Sequence, residues 1–306
     1  MLTKYRALIA AVDTGSLTRA AKSCFCTQSA ASRMILDLER DLGIRLLDRG
    51  RRGVVPTDDC LRLLPRIRRL CAEDAAVKAE AASIRGVETG SVRIGAISSI
   101  ATFWLPPVIA AFGRAHPGIE FEILMGDYTE IERWVTEGRV DFGFVAEPTA
   151  GKFAALPLHD DRLLAILPES HPLAEQPTVR PEELAREPFI LLEKGRDAEI
   201  SRLFEERNLT PDVRFRTFDD YALLAMVEAG IGTGILPELI LGRLNYRVAV
   251  RHVSGLPRRR LLLIAEPGAM LGAATRTFLE VFGEELRGKL SLDPDVPAFL
   301  RALTKE

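Results

Sequence analysis

Residues 15–57 place two short helical patterns and a basic hairpin in direct succession, and this order constrains the fold more than any other stretch. Ser16 stands where its hydroxyl can accept a backbone N–H at the start of one helix, and Thr27 precedes a second helix in the same way. Ala20 and Ala21 are small, so the second helix can cross close to the first. The stretch therefore predicts a helix, a tight turn, a second helix and a two-stranded hairpin.

The second of these helices has one apolar and one polar face. Helical spacing turns Ala31, Ile35, Leu38 and Leu42 inward. The same spacing leaves Gln28, Ser29, Ser32 and Arg33 on the outer, N-terminal face. Amide, hydroxyl and guanidinium groups in this arrangement suit base edges in a DNA major groove. We therefore predict a DNA-reading helix, with Thr27 as its cap and as a further phosphate contact.

A basic segment follows the second helix and contains Arg49, Arg51 and Arg52 beside two glycines. Its charge suits the phosphate backbone or the narrow minor groove, so we interpret it as a wing. Residues 1–90 hold 16 Lys and Arg against 11 Asp and Glu, a net charge of +5, whereas the remainder carries −7. A basic head on an acidic body favours a DNA-binding module joined to another domain, although many small domains carry such a charge by chance.

Residues 58–85 contain no glycine, and their pattern predicts one long helix. An apolar seam runs through Leu63, Ile67, Leu70, Val77, Ala81 and Ile84, and Asp74 interrupts it. Pro65 lies inside the pattern and is expected to kink the helix. Because one helix cannot bury such a stripe against itself, we expect it to pair with a second copy of the chain. The alternative is that the stripe packs on the chain's own domain.

From residue 91 onward the pattern changes to alternating strands and helices. Residues 91–97, 120–126 and 140–146 read as buried strands with helical segments between them, and a second unit of similar size begins near residue 163. This alternation predicts an α/β fold with a mostly parallel sheet and helices on both faces.

Together these features resemble the LysR-type transcriptional regulators. The resemblance is carried by S-L-x-x-A-A, T-Q-S-A-x-S-R, L-E-x-x-L-G-x-x-L-L-x-R and P-T in the first 57 residues, with support from L-P-P at 105–107 and G-I-G-T-G-I-L-P at 230–237. It implies an α/β protein with an N-terminal all-α winged helix-turn-helix, a long linker helix, and a two-subdomain effector domain like a periplasmic binding protein. The implied boundaries are 1–57 for the DNA-binding domain, 58–86 for the linker, 91–162 plus 267–295 for effector subdomain 1, and 163–266 for effector subdomain 2.

The resemblance also implies that a small-molecule effector binds between the two subdomains. Ser98 and Ser99 follow the first strand where a helix begins, and hydroxyl and free N–H groups there favour an anion. Thr129 follows the second strand, at the edge where open α/β sheets bind ligands. The hydroxyl-rich rim points to a small organic acid. The alternative is that the two serines only cap a helix.

The other side of this cleft is expected to include residues 193–196, beginning with Glu193, and the loop that contains Thr233. Tyr128 and Phe144 are expected to supply an apolar wall.

Three residues depart from the pattern of the family. Cys24 and Cys26 stand where larger aliphatic residues are usual, and Leu36 replaces a polar or basic residue on the DNA-reading helix. The two cysteines leave open a thiol-sensing role, but no further Cys or His lies nearby to complete a zinc site. We expect no metal and no cofactor.

Other classes of protein fit the sequence less well. Lys4, Arg6 and Asp13 interrupt any secretory signal, and no apolar run approaches a membrane span, so we expect a cytoplasmic protein without a membrane partner. The α/β half shows no catalytic or phosphate-binding motif, so we expect no enzyme. The expected partners are double-stranded DNA, the effector, and further copies of the chain in a homodimer or homotetramer, with RNA polymerase as an additional candidate.

Overall fold

A computed structural model describes residues 1–50, 53–84, 89–149, 153–193, 199–242, 245–256, 258–269 and 271–287. Arg51, Arg52, residues 194–196 and residues 288–295, which the sequence analysis singled out, lie outside these ranges. The side chain of Arg49 is also outside the description.

The N-terminal head contains three helices and a hairpin. They are α1 (Leu2–Thr14), α2 (Leu17–Ser23), α3 (Gln28–Leu42), β1 (Leu47–Gly50) and β2 (Gly53–Pro56), and the two strands are antiparallel. Ser16 accepts the Arg19 backbone N–H at 3.4 Å, and Thr27 accepts that of Ala30 at 3.2 Å. Both predicted helix caps are thus confirmed.

The predicted inner face of α3 is buried with one exception. Ala31, Ile35 and Leu38 are fully buried against the other helices. Leu42, which we expected to point inward, is 38% exposed. It is the last residue of the helix before Gly43, which takes a left-handed conformation (φ 70°) and turns the chain away.

The linker is helix α4 (Asp58–Ile84), and it is fixed to the head at its first half. The Thr57 hydroxyl accepts the Cys60 N–H at 3.1 Å and so caps the helix. Both guanidinium N–H groups of Arg68 donate to the Asp13 carboxylate, at 3.1 and 2.5 Å, and Arg68 is buried. The start of the linker therefore belongs to the core of the head.

The predicted apolar seam of α4 divides into two parts. Ile67 is buried and Leu63 half-buried against the head, as the alternative interpretation expected. Leu70 and Val77 are instead 48% and 69% exposed. Asp74, the interruption of the seam, receives hydrogen bonds from the side chains of Arg6 and Lys78.

Subdomain 1 of the effector region begins as an alternating α/β unit. Its elements are β3 (Gly90–Ala96), α5 (Ser98–Phe103), α6 (Leu105–Ala115), β4 (Ile119–Met125), α7 (Tyr128–Thr136), β5 (Phe142–Ala146) and β6 (Ala154–Asp161). Strand β3 pairs in parallel with both β4 and β5.

Subdomain 2 is built around a four-stranded sheet and a two-stranded parallel ribbon. Its elements are β7 (Leu163–Pro168), a 3₁₀ turn (Pro172–Glu175), β8 (Thr178–Val179), α8 (Pro181–Leu184), β9 (Pro188–Leu192), α9 (Glu199–Glu206), β10 (Asp212–Thr217), α10 (Asp220–Glu228), β11 (Gly234–Pro237), a 3₁₀ turn (Glu238–Leu241) and β12 (Val248–Val253). The sheet order is β11-β7-β12-β8, and β9 pairs with β10.

The chain then returns to subdomain 1 through β13 (Arg259–Ala265) and α11 (Ala273–Arg287). Strand β13 lies between β5 and β6, antiparallel to both, in the sheet order β4-β3-β5-β13-β6. We expected residues 163–266 in subdomain 2 and a mostly parallel sheet; β13 corrects both expectations. In subdomain 2 as well, β11 and β12 run antiparallel to β7.

Each subdomain has its own hydrophobic core. Subdomain 1 is rich in aromatic side chains, and both tryptophans of the chain, Trp104 and Trp134, lie in its core. Within the described residues, none of the helices combines the length and the apolar character needed to cross a membrane.

Candidate functional site: a DNA-facing helix and an inter-subdomain cleft

The outer face of α3 carries the predicted DNA-reading residues at its N-terminal end. Gln28, Ser29 and Arg33 are exposed, and Ser32 is half-buried. Leu36, two helical turns beyond Ser29, is 45% exposed on the same face. The helix thus presents polar groups and one apolar side chain outward, while its opposite face is in the core.

Thr27 joins this surface to the turn before it. Its hydroxyl caps α3 and also lies 3.0 Å from the hydroxyl of Ser29. Thr27 is exposed. The hydrogen bond from Ala30 to its hydroxyl therefore stabilises the first turn of α3 at the protein surface.

The turn between α2 and α3 has a Schellman geometry. The Cys26 N–H donates to the Ala21 carbonyl at 3.0 Å, and the Phe25 N–H donates to the Lys22 carbonyl at 3.1 Å. Phe25 is left-handed, with φ 51°, at the position where helix ends prefer glycine. An L-residue in this conformation costs about 1–2 kcal/mol.

The hairpin β1–β2 is held at a fixed place beside the head. The Val54 N–H donates to the Gly15 carbonyl at 3.1 Å. A Cβ at Gly53, where φ is 118°, would collide with that same carbonyl oxygen, so this close approach requires glycine. Glu39 accepts the N–H groups of Leu46 and Leu47, which ties the start of the hairpin to α3.

Burial makes two thiols of the head, Cys24 and Cys60, harder to ionise. Burial raises the pKa of the Cys24 thiol, and the neighbouring Cys26 raises it further. Burial also raises the pKa of Cys60, to about 11. Because the thiolate is the reactive form, these shifts disfavour a thiol-sensing role for Cys24.

A cleft of about 540 Å³ lies between the two effector subdomains. Its lining combines carboxylates with hydroxyl, aromatic and thioether side chains: Ser98, Thr102, Met125, Asp127, Glu130, Glu193, Phe218, Asp219, Asp220 and Tyr221, together with Gly126. Ser98 and Glu193 were predicted, and the carboxylates of α7 and α10 were not.

A hydrogen bond between Ser98 and Asp220 crosses this cleft. The Ser98 hydroxyl at the start of α5 donates to the Asp220 carboxylate at the start of α10, at 2.5 Å. Asp220 is 3% exposed, so the contact lies at the floor of the cleft. The two residues are 122 positions apart, and nothing in the local sequence predicts that they meet.

A buried polar network lies behind the cleft. Arg259 donates to Asp161 at 2.6 Å, to the Tyr128 hydroxyl at 3.1 Å and to the Ser99 hydroxyl at 3.4 Å. The Asp161 carboxylate also accepts the Leu239 N–H at 3.0 Å. Sequence reasoning missed Arg259 and Asp161 because each stands at a strand end without any motif around it.

The remaining predicted effector residues fall into two groups. Thr129 is exposed and Glu193 half-exposed, paired with Arg216. Phe144 is fully buried in the aromatic core, and Tyr128 is 7% exposed, so neither forms the apolar wall that we expected. Thr233 is also buried, with its N–H donating to the Pro188 carbonyl at 2.8 Å.

Three of the lining carboxylates already have structural partners. Asp127 and Glu130 form a capping box at the start of α7, where each accepts a backbone N–H of the other. Asp219 accepts the N–H groups of Tyr221 and Ala222 at the start of α10. Over the described ranges, no cluster of three or more His, Cys, Asp or Glu side chains is arranged to hold a metal ion.

Two family models match the chain. Residues 2–61 match the bacterial regulatory helix-turn-helix protein of the lysR family, and residues 85–287 match the LysR substrate binding domain. The chain belongs to the LysR family. It is a LysR-type DNA-binding transcriptional regulator with an effector-binding domain of two subdomains, which confirms the predicted family, fold class and general function.

Relatives of this LysR family member match most of its length, and one solved structure matches its effector-binding part. The probable HTH-type transcriptional regulator LrrA of Synechococcus elongatus is 32% identical over 266 residues, covering 85% of this chain and 88% of its own. A full-length OxyR variant from Pseudomonas aeruginosa is 19% identical, with a TM-score of 0.74 over 96% of this chain and 98% of its own. The effector binding domain of QuiR in complex with shikimate has a TM-score of 0.60 at 20% identity, covering 66% of this chain and all of its own.

Proposed function

We propose that this regulator reads its operator through the N-terminal half of α3. The observation that carries this proposal is that only one face of the helix is buried: Gln28, Ser29 and Arg33 are exposed, while Ile35 and Leu38 are fully buried. Gln can pair with adenine through two hydrogen bonds and Arg with guanine in the same way. Ser32 and Thr27 add hydroxyl contacts to bases and phosphates.

The basic hairpin supplies the sequence-independent part of the binding. We assign Arg49, Arg51 and Arg52 to the phosphate backbone or the minor groove beside the site. The fixed position of the hairpin supports this role, because Glu39 of α3 accepts the N–H groups of Leu46 and Leu47 at the start of the hairpin.

Gln28→Ala is expected to change which sequences the protein prefers, because one base-reading amide is lost. Binding to the preferred site should weaken by about 1–3 kcal/mol, while binding to unrelated DNA changes little. Competition binding against a set of single-base variants of a selected site measures this. Arg52→Ala provides the contrast, because it should weaken all sequences about equally and reduce the salt dependence. Unaltered base preference in Gln28→Ala would contradict the placement of α3 in the groove.

We propose that α4 pairs with its copy in a homodimer that binds two half-sites, and that dimers associate into a homotetramer. Leu70 and Val77 support the pairing, since the described part of the chain leaves 48% and 69% of them exposed. Contact with RNA polymerase and a cytoplasmic location follow as further proposals, since a bacterial transcription regulator acts where the DNA lies.

We also propose that the cleft near Ser98 binds the effector. The expectation of a small organic acid rested on hydroxyl and free N–H groups at the start of a helix, but the Ser98 hydroxyl donates to Asp220, and Ser99 is buried beside Arg259. Carboxylates among the described lining residues favour a ligand that donates hydrogen bonds through hydroxyl or amino groups. Shikimate, the ligand of the QuiR domain, combines hydroxyl groups with an acid.

A ligand of this kind is expected to raise the melting temperature of the full-length protein by about 5 °C at a concentration of about 100 times its Kd. A thermal-shift screen of hydroxylated acids, simple dicarboxylates and amines tests this. Phe218→Ala should reduce the shift, because Phe218 lines the cleft and is largely exposed. Phe215→Ala is the matched control, since Phe215 is exposed on β10 outside the cleft lining. Equal loss of the shift in both variants would contradict the proposed location.

Effector binding is proposed to reach the DNA through α4. Arg68 binds Asp13 of the head, and the next residue, Arg69, donates to Glu266 of the effector domain at 2.8 Å. One turn of the linker thus contacts both the DNA-binding head and the effector domain. The effector can shift the equilibrium between an open and a closed cleft only by as much as its affinities for these two states differ. A shift in that equilibrium would change the contacts of α4 with the head and the effector domain.

A further inference from the structure

Phe25 lies in the turn before α3, and no contact within the described chain accounts for an aromatic residue there. Its side chain is 98% exposed, so the ring buries almost no apolar surface within the protein. Its backbone is left-handed at the end of α2, where glycine would close the same Schellman turn without strain. The residue thus destabilises the local turn, and its side chain makes almost no stabilising contacts within the protein.

The position of Phe25 is next to the DNA-reading surface. It lies two residues before Thr27, the cap of α3, and three before Gln28. In a helix-turn-helix, the N-terminal end of the second helix enters the major groove, so the preceding turn lies at the edge of that groove. Leu36 adds a second exposed apolar side chain to the same face of α3.

Duplex DNA offers one apolar group in the major groove, the C5-methyl of thymine, and aromatic side chains such as Phe contact it. We propose that Phe25 is a specificity-determining residue, whose ring packs against a thymine methyl group at the edge of each half-site. The proposal rests on DNA binding through α3. It adds a sequence preference that the polar residues Gln28, Ser32 and Arg33 do not provide.

The test begins with duplexes selected from a random pool by the full-length protein. Each thymine of the selected site is then replaced by uracil, which lacks only the methyl group. We expect the wild-type protein to lose roughly fourfold in affinity at one thymine in each half-site, as for the loss of one buried methyl group. Phe25→Gly should bind the thymine site at least roughly fourfold more weakly and show no further loss with uracil.

Two variants separate the ring from the fold. Phe25→Tyr keeps an aromatic ring and should retain the thymine preference. Phe25→Asn tolerates the left-handed backbone but removes the ring, so it should behave like Phe25→Gly. The melting temperature of Phe25→Gly should equal or exceed that of the wild type, because the strain at the turn is relieved.

Three results would overturn the proposal. The first is wild-type affinity in both Phe25→Gly and Phe25→Asn, while Gln28→Ala still binds its site poorly. That result would contradict the role of Phe25 but would agree with DNA reading by α3. The second is weaker binding in Phe25→Gly with an unchanged response to uracil. The third is a selection that yields no preferred sequence at all, which would also contradict the proposed reading by α3.

Discussion

Asp161→Ala is expected to lower the free energy of unfolding of the effector domain by about 3–5 kcal/mol. The change removes the carboxylate that pairs with Arg259 at 2.6 Å, and the two side chains are only 1% and 7% exposed. Arginine stays protonated in proteins, so the buried guanidinium retains its charge after losing the carboxylate that balances it here. The hydroxyls of Tyr128 and Ser99, which also accept from Arg259, are neutral.

Urea unfolding followed by tryptophan fluorescence measures this effect, because both tryptophans lie in subdomain 1. The neighbouring pair provides a matched control. Asp160 receives a hydrogen bond from Arg260 at 3.0 Å, but their side chains are 41% and 49% exposed. Asp160→Ala should therefore cost no more than about 1 kcal/mol. Similar losses in the two variants would refute the distinction between a buried and a solvated ion pair.

Phe278→Ala is the second change with a large expected effect, again about 3–5 kcal/mol. Phe278 is fully buried on α11, and its ring lies within 5.2 to 6.3 Å of four others. Those rings belong to Phe112, Phe121, Phe142 and Phe282. Truncation leaves a cavity between two helices and two strands that well-packed neighbours fill only in part.

The same fluorescence experiment applies to this variant. Phe218→Ala is the control, because Phe218 is 81% exposed and its loss should change stability by no more than about 0.5 kcal/mol. A Phe278→Ala protein as stable as Phe218→Ala would show that α11 does not contribute to the core of subdomain 1.

Much of the DNA-binding head could be predicted because its signals are local. Ser16 and Thr27 cap helices through bonds that span three residues. The inner face of α3 follows from helical spacing, apart from the exposed Leu42 at its last position. Phe25 shows the limit of such reasoning. Its exposure and its left-handed backbone follow from the way α2 ends. A phenylalanine in the sequence predicts neither property, because phenylalanine is usually buried and glycine is usual at a left-handed helix end.

The effector cleft was predicted less completely because its contacts join distant parts of the chain. Ser98 was identified from its position after a strand, but its partner Asp220 lies in the other subdomain. The position of β13 likewise depends on a return across the whole of subdomain 2. Alternation from strand to helix predicts neighbouring elements and contains no information about such a return.

Phe144 was misplaced for a related reason. All five residues of β5 are buried, so both faces of this central strand are covered. A sequence shows that a strand is apolar, but it does not show which of its faces borders a cleft.

The two passages of the chain between the subdomains have a mechanical consequence. One follows β6 at Asp161 and the other precedes β13 at Arg259, and the ion pair between these residues holds the passages side by side. Two rigid bodies tethered at adjacent points keep one easy degree of freedom, a swing about the line through the tethers. Sliding of one body along the other would require both tethers to stretch. We therefore expect a ligand in the cleft to change mainly the angle between the subdomains, and contacts far from the axis to affect that angle most.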